Sequence, residues 1–249
     1  GKLDGLTLQK SQYAIAKKDP NLRVYKRPHN RLTGLRFNTT KGVMQDIRLR
    51  KAVSHAIDRK ALIFGTQFGL GRIASAMYPS DHWAHNPNLE PVAYDPELSK
   101  QLLAQAGYAN GLTIRGFMYN TTDSTTIGEA IKGMLAKVGI DWQVEMMPPA
   151  AAFAKLKSRD YDLARAGWSW INDPNQLATG HYHPKGGFNF GRSNNPEIIA
   201  LVDAGKKETD FKKRQQLYWQ LEETVYNDFQ DVFQSHRLKV QTVGGVIIC

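Results

Sequence analysis

Asp95-Pro-Glu-Leu-Ser-Lys-Gln-Leu-Leu-Ala-Gln-Ala-Gly107, followed by Leu112-Thr-Ile-Arg-Gly-Phe-Met-Tyr119, reads as a complete helix-to-strand unit. Asp95 is a helix N-cap, Pro96 fits the first turn because it lacks an N–H, Glu97 is a first-turn acid, and Gly107 is a stop. The same order returns at once. Ile127 to Val138 carries Ile131, Met134, Leu135 and Val138 near helical spacing, ends at Gly139, and leads into the strand Asp141 to Met147. This is a repeat of supersecondary order, not of sequence. Helices alternating with strands predict an α/β layered domain.

Working outward, Gly34-Leu-Arg-Phe-Asn38 predicts a strand, and Asp46 predicts the cap of a helix running to about Phe64. Asp19-Pro20-Asn21 reads as a turn before an extended Leu22 to Tyr25. Further helices are expected from Ala151 to Ser158, from Asn195-Pro196 to Ala204, and from Asp210 to Tyr226 with Leu217, Leu221 and Val225 on one stripe. Tyr161 to Trp168 and Leu238 to Val243 read as further strands.

The 249 residues include 41% hydrophobic and 22% charged side chains, the balance of a globular protein with a core. No apolar run approaches the roughly 20 residues of a membrane-spanning helix; the best, Val243-Gly-Gly-Val-Ile-Ile248, is far shorter. The formal charge of +10 is spread over Arg48-Leu-Arg-Lys51, Lys206-Lys207 and Lys212-Lys-Arg214, each within a predicted helix that also carries acids. Solvated helix faces are therefore expected, and no nucleic-acid partner. Cys249 is the single cysteine, so no intrachain disulfide and no Cys-rich metal site is expected. Gly1 begins no apolar signal segment and no initiating Met precedes it, which suggests a processed or excised piece.

Motifs of catalysis are not found. Gly69-Leu-Gly-Arg72 follows a helix instead of opening one and lacks a Lys-Ser/Thr ending, and neither a Gly-x-Ser-x-Gly elbow nor a His-Glu-x-x-His helix occurs. His181 and His183 could face one side of a strand, with His82 and His85 nearby, but the pair lacks a fixed carboxylate and no metal is expected. Asp160 and Asp162, two apart on a predicted strand, are the candidate acid/base pair of an enzymatic alternative. The most suggestive stretch is Gly167-Trp-Ser-Trp-Ile-Asn-Asp-Pro174 after the strand Tyr161-Asp-Leu-Ala-Arg-Ala166. Trp168 and Trp170 with Asn172 and Asp173 combine flat apolar area with a few polar anchors, the composition of a binding cleft. Tryptophan also fills cores, so one of the two is expected to be structural.

The order of several blocks resembles the extracellular solute-binding proteins of family 5, the peptide/nickel class that serves ABC importers. Gly1-Lys-Leu-Asp4, Leu35-Arg-Phe-Asn38, Asp46-Ile-Arg-Leu-Arg-Lys-Ala52 and Ala56-Ile-Asp-Arg59 carry it first. Tyr94-Asp-Pro-Glu97, Leu102-Leu-Ala-Gln-Ala-Gly-Tyr108, Leu135-Ala-Lys-Val-Gly-Ile140, Asp160-Tyr-Asp-Leu163, Gly167-Trp168, Asn195-Pro196 and Arg214-Gln-Gln-Leu-Tyr218 follow in family order. The resemblance covers the later half of the family. It implies a type II periplasmic-binding-protein-like lobe, a mixed β-sheet flanked by helices and part of a two-lobed fold. Residues 1–34 would close the first lobe and the hinge, 35–237 would form the second lobe, and 238–249 would begin a return to the first.

The implied protein is not an enzyme. It captures a small solute, a peptide or another small polar ligand, and delivers it to a membrane permease as a monomer without cofactors. It works in the periplasm or outside the cell, which leaves open an anchor ahead of Gly1. Arg165 fills the family position three before the Trp, where an arginine can pair with an anionic ligand group. Peptide binders carry an Asp just after that Trp; here Trp170 and Ile171 stand there, and Asp173 comes later. Trp170 would suit a sugar face, an aromatic group or a cation. Trp83, beyond Ala74-Ser-Ala-Met-Tyr-Pro79, is a weaker candidate near the lobe interface. The alternatives carried forward are an enzyme with an unrecognised acid/base pair and a basic nucleic-acid-binding module.

Overall fold

The structure, a computed structural model, describes residues 5–169 and 172–244. The first half comprises β1 (Gly5–Thr7), α1 (Tyr13–Ala16), β2 (Leu22–Phe37), α2 (Ile47–His55), α3 (Arg59–Gln67), β3 (Gly71–Ile73), α4 (Pro96–Gln105) and β4 (Leu112–Tyr119). Then come α5 (Thr122–Ala136), β5 (Ile140–Met147), α6 (Pro149–Ser158), β6 (Leu163–Ser169), α7 (Pro174–Tyr182), α8 (Pro196–Lys207), α9 (Phe211–Asn227) and β7 (Asp231–Gly244).

The expected caps form. Asp46, Asp95, Asn195 and Asp210 each accept a backbone N–H in the first turn of the helix that follows. Gly107 and Gly139 end α4 and α5 with φ of +89° and +87°, a left-handed turn that lets the chain drop into β4 and β5. Those two strands pair in parallel, Leu112 against Ile140 through Tyr119 against Met147.

Four expectations need correction. The helix expected from Asp46 to Phe64 is two helices: Asp58 accepts the Ala61 N–H at 2.8 Å and caps a second helix, α3. Asp58 competes for the backbone as a cap, which outweighs the continuous apolar spacing. The segments expected as separate extended pieces at 22–25 and 34–38 are one strand, β2, because β7 pairs with it along most of its length. For the same reason β7 starts at Asp231, well before Leu238. Asp160 and Asp162 lie ahead of β6 and not within it.

The described strands form a seven-stranded mixed sheet in the order β1-β7-β2-β6-β4-β5, with β3 also on β7. β2 is antiparallel to β6 and β7, whereas β6, β4 and β5 run parallel. Side chains alternate between faces along a strand. On one face Leu35, Ile114, Ile140 and Trp142 pack under Leu49, Val53, Leu62, Leu103 and Ile131 from α2 to α5. On the other, Leu32, Ala166, Trp168 and Phe233 meet Tyr182, Ile198, Tyr218 and Leu221 from α7 to α9. Beside this second cluster α6 covers Phe117, Ala164 and Phe190. The segment after β6 thus leaves the carboxyl end of a parallel strand, where open α/β sheets form crevices.

Candidate functional site

Trp168 sits near that carboxyl end, on the face covered by α7. It is 1% exposed, and its indole Nε1 has no hydrogen-bond partner among the described residues. The guanidinium of Arg36, from β2, lies 4.9 Å from the centre of its ring. Arg36 is buried and forms a two-pronged pair with Asp231 of β7, at 2.8 and 3.2 Å. Tyr182 Oη donates to the same carboxylate at 2.7 Å. Burial alone would pull the Arg36 guanidinium down, but the charge and hydrogen bond of Asp231, with Tyr182 and Tyr161, together outweigh it and hold it above its ordinary value.

The remaining arm of Arg36 fixes a histidine. Nη1 donates to His181 Nδ1 at 3.1 Å and to the Phe188 carbonyl at 3.0 Å. A guanidinium can only donate, so Nδ1 must accept, and the imidazole proton resides on Nε2. Burial, reinforced by the Arg36 charge, holds His181 well below the ordinary imidazole range, so the ring is neutral near pH 7. The ring stacks on Phe188 (centres 5.5 Å apart, 23° between planes) and tilts against Trp168 at 5.5 Å. These three rings, with Asn175, Lys185 and Gly186, line a cavity of about 540 Å³. Phe188 stays in place because its N–H donates to the Gly180 carbonyl and Asn189 ties the loop at His183 and Ser193.

A second group lies at the start of α7. Asp173 caps that helix by accepting the Asn175 N–H at 2.7 Å, and its carboxylate meets Arg214 at 3.4 Å. His82 Nε2 donates to the Asn172 carbonyl at 3.3 Å. Arg214 lies 5.3 Å from the centre of the Trp83 ring, which also contacts Phe211 and Tyr218. The loop bearing Trp83 is anchored by Glu222, fully buried in α9, which accepts the Tyr78 and Asn86 N–H groups at 2.7 Å each and stands 3.1 Å from His85.

Of the residues singled out in the sequence, the structure therefore links Trp83, Asn172 and Asp173 through His82 and Arg214. Trp168 lies on the cavity wall. Arg165 is three residues earlier in β6 and so faces the opposite side of the sheet; it is buried, and its Nη1 donates to the carbonyls of Gly34 and Ala166 at 3.0 Å. Trp170 falls outside the described residues. His181 and His183 end α7 and do not share a strand, and His82 and His85 have separate partners, Asn172 and Glu222. Asp162 accepts the Arg115 backbone N–H at 2.8 Å, and Asp160 meets the Arg115 side chain at 3.5 Å. A larger groove of about 650 Å³ between α8 and α9 is lined by groups already engaged, such as the cap Asn195 and the Arg50 partner Asp228.

Sequence reasoning missed Arg36, Asp231, Tyr182 and Phe188. A signal existed for the first: an arginine between Leu35 and Phe37 in an apolar strand must find an anion if that strand is buried. The partner, almost 200 positions away, carried no mark of its own.

The sequence pattern of the bacterial extracellular solute-binding proteins, family 5 (Middle), matches residues 1–189. The chain belongs to this family. Among the proteins similar to it is Heme-binding protein A of Haemophilus influenzae, 28% identical over 222 residues, which are 86% of this chain and 41% of that protein. Di/tripeptide-binding protein 1 of Pseudomonas aeruginosa is 28% identical over 213 residues, 82% of this chain and 40% of that protein. The solved structure of the ABC transporter-associated periplasmic binding protein DppA from Helicobacter pylori, in complex with the peptide STSA, superposes with a TM-score of 0.86 at 25% identity. That match covers 98% of this chain and 49% of the other. The fold is thus a type II periplasmic-binding-protein-like lobe, and this family 5 chain spans about half the length of the relatives it matches. No helix among the described residues is long and apolar enough to cross a membrane.

Proposed function

We propose that this chain supplies one lobe of the substrate-binding component of an ABC importer, and that the solute is a di- or tripeptide or a peptide-like molecule held against the end of β6. The family match over residues 1–189 carries the reading, and the presence of a cavity beside Trp168 supports it. In this reading residues 1–34 and 238–249 connect to a first lobe, 35–237 form the second, and closure of the two excludes water from the ligand. The break in β2–β7 register between Pro28 and Leu32 lies within that connection and supports a hinge there. Trp168, Trp170, Asn172, Asp173, Arg165 and Trp83 remain the residues proposed to act on ligand, directly or by shaping the cleft. The protein is proposed to act as a monomer in the periplasm or outside the cell, with a membrane permease as its partner, without catalysis and without nucleic acid.

Peptide is favoured over heme, the ligand in one relative's name, by one observation. Arg36 occupies His181 Nδ1, so Nε2 keeps its proton and cannot ligate iron while that bond stands. The test is native mass spectrometry of the full polypeptide with an equimolar mixture of di- and tripeptides and, separately, hemin. Retention of peptide supports the reading; retention of hemin alone, or of neither, overturns it.

A further inference from the structure

A line of polar side chains runs through the protein where β2 and β7 fall out of step. The two strands lose register between Pro28 and Leu32 and again between Thr33 and Gly34, so the Thr33–Ser235 pair sits between two irregularities. Thr33, Ser235 and Gln67, the last residue of α3, are all buried. Lys10, in the turn ahead of α1, donates from Nζ to Gln67 Oε1 at 2.7 Å. An ammonium can only donate, so the amide oxygen faces Lys10 and Nε2 faces inward, donating to Ser235 Oγ at 2.9 Å. The Thr33 hydroxyl gives its proton to the Ser235 carbonyl at 3.2 Å, which leaves the Ser235 hydroxyl to donate to Thr33 Oγ1 at 3.0 Å. Every donor in the line therefore points away from Lys10. At the outer end, Lys26 of β2 lies 4.6 Å from the centre of the Tyr13 ring, which ties α1 and the turn before it to the 22–27 end of that strand. Lys10 thus reaches from the far end of β2 back to the body of the fold, past both breaks in register.

We propose that Lys10, Gln67, Ser235 and Thr33 form a polar strut that fixes the angle at which residues 5–27 leave the main sheet. The inference rests on the two-lobed reading above, in which Lys10 and Thr33 belong to the first lobe and hinge, and Gln67 and Ser235 to the second lobe. The strut then crosses that division twice and sets the angle from which closure starts. Without it the angles spread, a smaller fraction of molecules is poised to close, and apparent affinity falls by that fraction. All four are positioning residues, and none lines the cavity beside Trp168.

The test places spin labels at Lys18→Cys and Lys132→Cys, two exposed positions, in the chain carrying Cys249→Ser, and reads their separation by pulsed electron paramagnetic resonance. One narrow distance distribution is expected. Lys10→Met should broaden it about twofold, whereas Lys10→Arg, which keeps a cationic donor, should leave it narrow. Lys10 is only partly buried, so both variants should fold, and thermal unfolding checks that they do. Equal widths in the unsubstituted and Lys10→Met chains, or equal broadening by Met and Arg, would overturn the proposal. In a polypeptide carrying both lobes, Lys10→Met is expected to weaken tripeptide binding about two- to fivefold with no cavity residue changed. Unchanged affinity there would refute the link to closure. The distance measurement needs no ligand: a protein that binds no peptide sinks the solute-binding reading, whereas unaltered distances sink the strut alone.

Discussion

Arg36 and Asp231 bring a full positive and a full negative charge into a site that excludes water, and neither tolerates loss of the other. Asp231→Ala leaves a buried guanidinium uncompensated and is expected to remove about 3–5 kcal/mol of stability, whereas Tyr182→Phe deletes one hydrogen bond to the same carboxylate and should remove about 1 kcal/mol. Urea unfolding of the two variants measures the contrast; similar losses would mean that the pair does not organise this face. His236 offers a pH prediction. Burial pushes it from its ordinary 6.5 to about 4, opposed by the Ala76 backbone and Asp81 and helped by His85 and Arg72. The folded state therefore binds fewer protons than the unfolded chain between those values, so stability is intact above about pH 6.5 and falls as pH drops towards 4. His181, also held low by burial and Arg36, acts with the same sign. The His236 share is on the order of 3 kcal/mol. Glu222, raised by burial despite His85, has the opposite sign: its contribution is present below its ordinary 4.5 and is lost as pH rises. Subtracting the stability–pH curve of His236→Gln from that of the unsubstituted protein isolates the histidine; a flat difference between pH 6.5 and 4 would refute the assignment.

At the scale of elements, α7 and the loop behind it form one wall. A methyl group on Gly186 would strike the Thr179 and Gly180 carbonyls of α7, so Gly186→Ala must push the loop outward. That change is expected to weaken binding of any cavity ligand about tenfold or more, with a modest loss of stability, because a displaced Phe188 no longer faces His181. An unchanged affinity, read by isothermal titration with a tripeptide, would place the ligand elsewhere. Asp173 at the other end of α7 separates two roles. As a cap it should be worth about 1 kcal/mol, and Asp173→Asn, which keeps a capping oxygen, should restore that stability. Loss of peptide affinity in both Asp173→Ala and Asp173→Asn would assign the charge itself to ligand; loss in Ala alone would assign only the helix start.

For the whole molecule, the relevant fact is that this chain spans about half of its relatives. On the two-lobed reading proposed above, one lobe alone presents one side of a cleft and leaves its ligand open to water, so a polypeptide carrying both lobes is expected to bind a given tripeptide at least about 100-fold more tightly than this chain, some 2.7 kcal/mol. Isothermal titration of both proteins with the same peptide measures this, and equal affinity would show that the cavity beside Trp168 is a self-sufficient site.

Much of the fold was legible in the sequence because helix ends are local events. Asp95, Asn195 and Asp210 cap whatever follows them, and Gly107 and Gly139 turn the chain whether or not the sheet is present. Strand segments such as Leu112 to Tyr119 announced themselves by apolar content for the same reason. The aromatic run at Trp168 was visible as chemistry. Which groups surround that tryptophan was not, because Arg36, His181 and Asp231 come from three distant segments that only the sheet register and the packing of α7 bring together. Contacts of that kind have no local signature. Burial is what obliges Arg36 to find Asp231, and Arg36 in turn sets the proton on His181; the chemistry of the cavity is therefore a property of the assembled fold.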